Sequence, residues 1–164
     1  PKSVINQKKL SLYLETSIWN FVFAEDAPEK QAVTLAFFNL VKQGRYHIFI
    51  SEMVFREIDR ASKQKKSVLL NLIEEYQPGE LEITEEAVVL AKRYIDEGAL
   101  PPRAVDDSIH AALATIHGID ALISWNLKHL ANLSRVRRIN GINLKEGYSD
   151  SLDIVTPMEV CDEI

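Results

Sequence analysis

The sequence has one cysteine, no long apolar run and no excess of positive charge, and each lack excludes a class of protein. Because Cys161 is the only cysteine in 164 residues, neither an intrachain disulfide nor a cysteine-rich zinc site can form, and a reducing cytoplasm is the expected compartment. No apolar run approaches the roughly 20 residues of a membrane helix. Residues 1–10 also lack the apolar stretch of a signal peptide. We therefore expect a cytoplasmic protein that has no membrane partner.

The formal net charge is −5 and the pI is about 5.4, so the chain is not a generic polyanion binder. Contact with a nucleic acid would have to depend on local basic patches or on a bound metal. A hydrophobic fraction of 46% with 26% charged residues is ordinary for a globular protein, and no repeat or low-complexity segment is present. The length predicts a single domain over residues 1–164.

Short apolar segments typical of strands alternate with helical patterns along the whole chain. Strands are predicted at 10–14, 46–50, 81–83, 121–123 and 152–155, and the helices between them include 18–21 capped by Ser17, 65–76, 85–97 and 130–138, the last followed by a turn at Asn140-Gly141. This alternation predicts one mostly parallel sheet with helices on both faces, an α/β fold. In such sheets the functional site lies at the carboxyl ends of the strands.

Acidic residues follow or flank these strand ends. Glu15 comes directly after the first strand, Glu57 lies on the helix after the second, and Asp106 and Asp107 begin the helix before the fourth. Carboxylates gathered at one edge would repel each other unless a cation neutralised them. A set of oxygen ligands without Cys or paired His favours Mg²⁺ or Mn²⁺, which can activate water towards a phosphodiester.

Four motifs in order resemble the PIN domain, and especially the VapC-type toxins of toxin–antitoxin pairs. They are Leu-Glu-Thr-Ser at 14–17, Ser-Glu-Met-Val-Phe-Arg-Glu at 51–57, Asp-Ser-Ile-His-Ala-Ala at 107–112, and Ile-Ser-Trp-Asn-Leu-Lys-His at 123–129. The resemblance covers nearly the whole chain. It implies a three-layer α/β/α sandwich and a Mg²⁺-dependent endoribonuclease, often a homodimer, that a small antitoxin protein inhibits.

By the same resemblance, Glu15, Glu57 and Asp107 match the three catalytic, metal-binding acids. The first acid is commonly Asp, so Glu15 is one methylene longer than usual. Asn126 stands where many members have a fourth acid and others have Asn. With this reduced charge, one Mg²⁺ joined by a second that arrives with the substrate is as compatible as two tightly bound ions.

Supporting roles are predicted for residues beside these acids. Asp106 either caps its helix or supports the site, and Asn126, Thr16 and Ser124 are expected to orient carboxylates or metal-bound waters, although Thr16 and Ser124 could equally be local caps. His110 is favoured as a packed or supporting residue over a general base.

Two further groups bear on substrate binding. For Trp19, Phe21 and Phe23, a core or dimer contact is favoured over stacking on bases. Lys128 and Arg135 are the best candidates for binding RNA phosphates, in a patch that also contains Arg137 and Arg138, with simple solvation as the alternative.

Three functions compete on this sequence. A metal-dependent endoribonuclease that acts as the toxin of a type II toxin–antitoxin pair is the leading hypothesis. The alternative is a PIN-fold binding module whose catalysis is impaired, because of Glu15 and Asn126. A phospho-acceptor receiver domain ranks last, since no acceptor Asp ends the third strand and no Lys ends a late strand.

Overall fold

The structure is a computed structural model that describes residues 8–161, and its centre is one sheet of five strands. The strands are β1 (Ser11–Leu14), β2 (His47–Ser51), β3 (Gly79–Leu81), β4 (Ala121–Ile123) and β5 (Asp153–Val155). Their order is β3-β2-β1-β4-β5, and every pairing is parallel. The predicted α/β fold with a central parallel sheet is confirmed, and β1 is its middle strand.

Helices cover both faces of this sheet. They are α1 (Thr16–Phe21), α2 (Pro28–Lys42), α3 (Glu52–Ile58), α4 (Lys63–Tyr76), α5 (Glu85–Asp96), α6 (Val105–Ile116) and α7 (Leu133–Lys145), with a short 3₁₀ helix at Pro157–Val160. Alternate residues of β1 point to opposite faces. Tyr13 therefore packs into the cluster formed with α5, α6 and α7, whereas Leu12 and Leu14 pack into the cluster formed with α1 to α4. The result is a three-layer α/β/α sandwich.

Polar side chains cap several of the helices that flank the sheet. Ser51 accepts a hydrogen bond from the backbone N–H of Met53, and Thr84 accepts one from Ala87, as N-cap residues do. Ser17 was predicted to cap α1, and that prediction is wrong. The helix begins at Thr16 with Glu15 in the N-cap position, and the Ser17 hydroxyl donates to the Glu15 side chain instead.

The predicted turn at Asn140-Gly141 is also wrong, because both residues lie inside α7. The Asn140 amide nitrogen donates to the carbonyl of Leu152, and its oxygen accepts from the N–H of Leu152. Ile139 and Ile142, on either side, are buried. Tertiary packing therefore overrides a dipeptide that favours turns. The helix also begins at Leu133, three residues later than predicted, capped by Asn132.

Trp19 belongs to the core rather than to a surface that could stack on bases. Its side chain is fully buried, and its ring packs against Phe38 at 5.2 Å and Tyr76 at 6.4 Å between centroids. Phe23 by contrast is exposed. In residues 8–161, no helix has both the length and the apolar character needed to cross a membrane.

Candidate metal centre

The register of the sheet brings the ends of β1 and β4 together at its carboxyl edge. Leu14 is paired with Ile123, and the N–H of Glu15 donates to the carbonyl of Ile123 at 3.0 Å. Glu15 and Ser124 are thus the first residues beyond two adjacent strands. This edge is where parallel sheets usually place their functional groups.

Glu15 is nearly buried, and two serines hold one of its oxygens. Its Oε1 accepts from the hydroxyl of Ser17 at 2.6 Å and from that of Ser124 at 2.7 Å. Backbone N–H groups donate to the same two hydroxyls, from Trp125 to Ser17 and from Asn126 to Ser124, both at 2.9 Å. Because each serine oxygen already accepts from the backbone, its proton is directed to Glu15.

Glu57 lies in the last turn of α3 and is held in the same way. Its Oε1 accepts from the hydroxyl of Thr16 and from Nε2 of His110, the latter at 2.7 Å. Burial alone would raise the pKa of Glu57, but the hydrogen bond and charge of His110, with the Thr16 hydrogen bond, lower it below its ordinary value. Glu57 is therefore ionised at neutral pH.

Asp107 lies in the first turn of α6, near enough to Glu15 and Glu57 for their charges to affect it. Its Oδ2 accepts from the amide nitrogen of Asn126 at 3.0 Å and from Nδ1 of His129 at 3.3 Å. Burial and the charge of Glu15 raise the pKa of Asp107 above its ordinary value. The negative charges at this edge are thus close enough to oppose one another.

The three carboxylates share one pattern. In each, one oxygen accepts from two protein donors, and within the described part of the chain no hydrogen bond or ion pair involves the other oxygen. Among residues 8–161, no Lys or Arg forms an ion pair with any of them. Histidines pair with Glu57 and Asp107, but each acid keeps one oxygen outside these contacts, and such oxygens are the donors that Mg²⁺ or Mn²⁺ prefers. The residues present fit such an ion.

His110 also lies among these groups, yet its ring is already engaged. Ligand atoms of Glu15, Glu57 and His110 lie within 4.8 Å of one another, which is a spacing that could hold a metal, and Asp107 of the predicted set is not part of this group. However, Nε2 of His110 donates to Glu57, and Nδ1 hydrogen bonds with the hydroxyl of Tyr13 at 2.6 Å. A ring with both nitrogens in use supports a carboxylate rather than binding a cation itself.

Asn126 holds Asp107 and orders the loop that follows. Its side-chain oxygen accepts from the N–H groups of Lys128 at 3.2 Å and His129 at 2.9 Å. Because a backbone N–H can only donate, these contacts assign the oxygen, and the amide nitrogen must face Asp107. Asn126 therefore donates to Asp107 through its amide nitrogen, and the side-chain oxygen of Asn126 is already occupied by the two backbone N–H groups.

The remaining predicted residues are placed as follows. Asp106 forms an ion pair with Arg60 at 2.6 Å and makes no cap, since Ala104 occupies the N-cap position of α6. Lys128 is exposed on the loop between β4 and α7. Arg135 is half-buried, and its guanidinium donates to the carbonyl of Ala99 at 2.8 Å, so it also ties α7 to the loop after α5.

Three residues that support the acids were not predicted: Tyr13, Ser17 and His129. Ser17 lies two residues after Glu15, in a position that the sequence alone favours as a helix cap. His129 lies three residues after Asn126, a spacing typical of a turn. For Tyr13 nothing in the sequence marks a polar role, since an aromatic residue in a buried strand is usually core.

Comparison with solved structures identifies the fold. No protein-family model matches this sequence, and no curated protein matches it. The crystal structure of VapBC2 from Rickettsia felis bound to a DNA fragment from its promoter contains a chain that superposes with a TM-score of 0.56. The likeness covers 90% of this chain and 98% of that one, at 15% sequence identity. The protein has a PIN-like fold. At this identity the likeness extends to the fold alone, and the PIN-like architecture agrees with the motif resemblance.

Proposed function

We propose that the protein is a divalent-metal-dependent endoribonuclease that uses Mg²⁺ or Mn²⁺. The observation that carries the proposal is the pattern at the sheet edge. Glu15, Glu57 and Asp107 each give one oxygen to two protein donors and keep the other outside any hydrogen bond or ion pair in the described residues. Keeping three like charges close together is costly unless a cation binds there.

The roles follow from these contacts. Glu15, Glu57 and Asp107 would hold the cation, while Thr16, Ser124 and Asn126 orient them. When bound, a divalent cation supplies charge neutralisation for phosphate oxygens and acidifies water for in-line attack. Lys128, exposed beside the site, and Arg135 are the proposed contacts for RNA phosphates. Lys128 lies on the loop that follows β4, and Arg135 lies in the first turn of α7.

We further propose that the protein is the toxin of a type II toxin–antitoxin pair, with a small antitoxin as its partner and a homodimer as its assembly. The support is the motif order together with the fold that the chain shares with a chain of VapBC2. A reading frame for a small protein next to the gene is the expected genomic context. A gene without such a neighbour would argue against the toxin role and leave the nuclease proposal standing.

RNA cleavage by wild type and Asp107→Asn, with Mg²⁺ and with EDTA, tests the nuclease. Cleavage by wild type should require the metal and fall at least a hundredfold in Asp107→Asn, because a ligand to the cation is neutralised. Asp96→Asn, at an exposed ion pair with Lys92, is the matched control and should cleave like wild type. Cleavage that survives EDTA, or that Asp107→Asn leaves unchanged, contradicts the proposal and identifies a contaminant or another chemistry.

The alternative is a binding module whose catalysis is impaired. The observation in its favour is Asn126, whose oxygen is occupied by Lys128 and His129, so that three acids rather than four meet at the edge. Calorimetry separates the two functions. Binding of Mn²⁺ at micromolar to millimolar concentrations supports the nuclease, and no heat at millimolar metal supports the module.

A further inference from the structure

A buried chain of hydrogen bonds leads from the start of α3 to the acid near its end. Ser51, the N-cap of α3, hydrogen bonds through its hydroxyl with the hydroxyl of Tyr13 at 2.6 Å. The same Tyr13 hydroxyl bonds with Nδ1 of His110 at 2.6 Å, and Nε2 of His110 donates to Glu57 at 2.7 Å. The chain therefore passes through β1 and α6 before it returns to α3.

The ring in the middle of this chain has no freedom to turn. His110 is fully buried, and so is Tyr13, whose ring meets the imidazole edge to face at 5.5 Å between centroids. Polar groups in such surroundings are costly unless they are paired, and here both imidazole nitrogens have partners. The packing and the two hydrogen bonds fix which nitrogen faces Glu57.

Glu57 needs such a support more than Glu15 does. It lies in the last turn of a helix of only seven residues, where helices fray, and its side chain is 20% exposed. Glu15 by contrast follows directly on the central strand and is buried. A carboxylate at the end of a short helix binds a cation tightly only if another group limits its motion.

We propose that His110, held in place by Tyr13, is the positioning residue that fixes Glu57 for binding of the divalent cation. This inference rests on the function proposed above, because it presumes that Glu57 is a metal ligand. It gives Tyr13 and Ser51 the role of anchoring this series of hydrogen bonds to the sheet. Neither residue touches the cation or the substrate in this scheme.

Two amide substitutions separate positioning from packing. In His110→Gln the amide nitrogen lies close to the place of Nε2 and can still donate to Glu57. In His110→Asn it lies close to the place of Nδ1, so the bond to Tyr13 can form and the bond to Glu57 is lost. Both variants remove the same ring and leave an amide, so their losses of packing are similar.

The readout is Mn²⁺ affinity, by calorimetry or electron paramagnetic resonance, together with the melting temperature in EDTA. His110→Asn should bind Mn²⁺ about tenfold or more weakly than wild type, the usual cost of losing such a supporting contact. His110→Gln should recover most of this affinity while melting at a similar temperature to His110→Asn. Equal affinities in the two variants, or an affinity that follows the melting temperature, would overturn the proposal.

If neither His110 variant folds, Tyr13→Phe decides. It removes only the hydroxyl that holds the imidazole and should weaken Mn²⁺ binding several-fold, whereas unchanged affinity overturns the proposal. Tyr94→Phe is the matched control, because Tyr94 is equally buried and its hydroxyl donates to Asn143 in a separate network. It should lower the melting temperature and leave Mn²⁺ affinity unchanged.

A failure of this inference can be told apart from a failure of the proposed function. If Glu57→Gln abolishes Mn²⁺ binding while both His110 variants bind like wild type, the metal site stands and the positioning role falls. If Glu57→Gln binds Mn²⁺ as wild type does, Glu57 is not a ligand, and both proposals fail at this residue.

Discussion

Asn126 donates to Asp107 through its amide nitrogen and accepts two backbone N–H groups through its oxygen. A carboxylate in its place could accept the same backbone groups, but it would set a second negative charge against Asp107 instead of a hydrogen-bond donor. The amide therefore limits the repulsion at an edge where no Lys or Arg pairs with the three acids within residues 8–161. The site keeps three charges for a cation and avoids a fourth.

Asp107 shows what the remaining repulsion costs. Burial and the charge of Glu15 raise its pKa, so the folded chain binds the Asp107 proton more tightly than the unfolded chain does. As pH rises from the ordinary Asp pKa of about 3.9 to the raised value, the free energy of unfolding therefore falls. At neutral pH and without metal, the ionised side chain therefore destabilises the fold.

Asp107→Asn should accordingly stabilise the metal-free protein while it removes metal binding. We expect the free energy of unfolding in EDTA at pH 7 to rise by about 1 kcal/mol, the ordinary size of a point-mutant effect. The reason is that an amide oxygen can still accept from Asn126 and His129, and the charge that opposes Glu15 is gone. Urea denaturation of both proteins at several pH values measures this difference.

The gain should shrink as pH falls towards the ordinary pKa of Asp, because Asp107 is then protonated in both states. Asp106→Asn is the control, because it removes one negative charge at the residue adjacent to Asp107. Asp106 pairs with Arg60 at 2.6 Å and is 29% exposed, so its loss should leave stability unchanged or slightly lower. A drop in stability for Asp107→Asn in EDTA would show that its ionised form is not opposed by Glu15.

At the scale of elements, α7 is the helix that the sequence predicted least well. Asn140-Gly141 is a common turn dipeptide, but here Asn140 is bonded to Leu152 and buried isoleucines flank the pair. Gly141 therefore lies in the interior of a helix, where no turn conformation requires glycine. A Cβ at this position would meet nothing within 4 Å.

Gly141→Ala should raise the free energy of unfolding by roughly 0.5–1 kcal/mol, because alanine loses less backbone entropy in a helix. For a chain of this size that is an increase of about 2–4 °C in melting temperature per kcal/mol. Calorimetry measures it. Gly147→Ala is the control at the end of the same helix, where φ is +98°, and it should be destabilising. A stabilising Gly147→Ala or a destabilising Gly141→Ala would contradict this account.

The elements that carry the site differ in how well the sequence predicts them. The ends of β1 and β4 were predictable, because an alternating pattern places the first and a short apolar run the second, and their shared edge brings Glu15 and Ser124 together. The third strand was placed wrongly, at 81–83, whereas β3 spans Gly79–Leu81. The donors to each carboxylate were harder to predict, since they depend on distances across the fold. Tyr13 and His110 are 97 residues apart, and Ser17 donates to Glu15 from inside α1, which starts two residues earlier than predicted.

At the scale of the whole molecule, the charge opposes the proposed substrate. The net charge is −5, and three of the acids lie together at the edge where RNA would bind. The exposed Lys128 offsets only one of these negative charges. Binding of RNA should therefore depend on the cation as much as catalysis does, because without it the phosphates meet ionised carboxylates.

A triple variant, Glu15→Gln, Glu57→Gln, Asp107→Asn, separates these effects, since it changes the formal charge from −5 to −2. In EDTA it should bind a short single-stranded RNA about tenfold more tightly than wild type, a difference of about 1.4 kcal/mol. Addition of a divalent cation should strengthen RNA binding by wild type and leave binding by the variant nearly unchanged. The difference between the two affinities should therefore shrink or change sign. Fluorescence anisotropy with Ca²⁺ as the cation measures both arms. If wild type already binds RNA as tightly as the variant in EDTA, RNA reaches the protein elsewhere than at this edge, and the three acids are not where its phosphates bind.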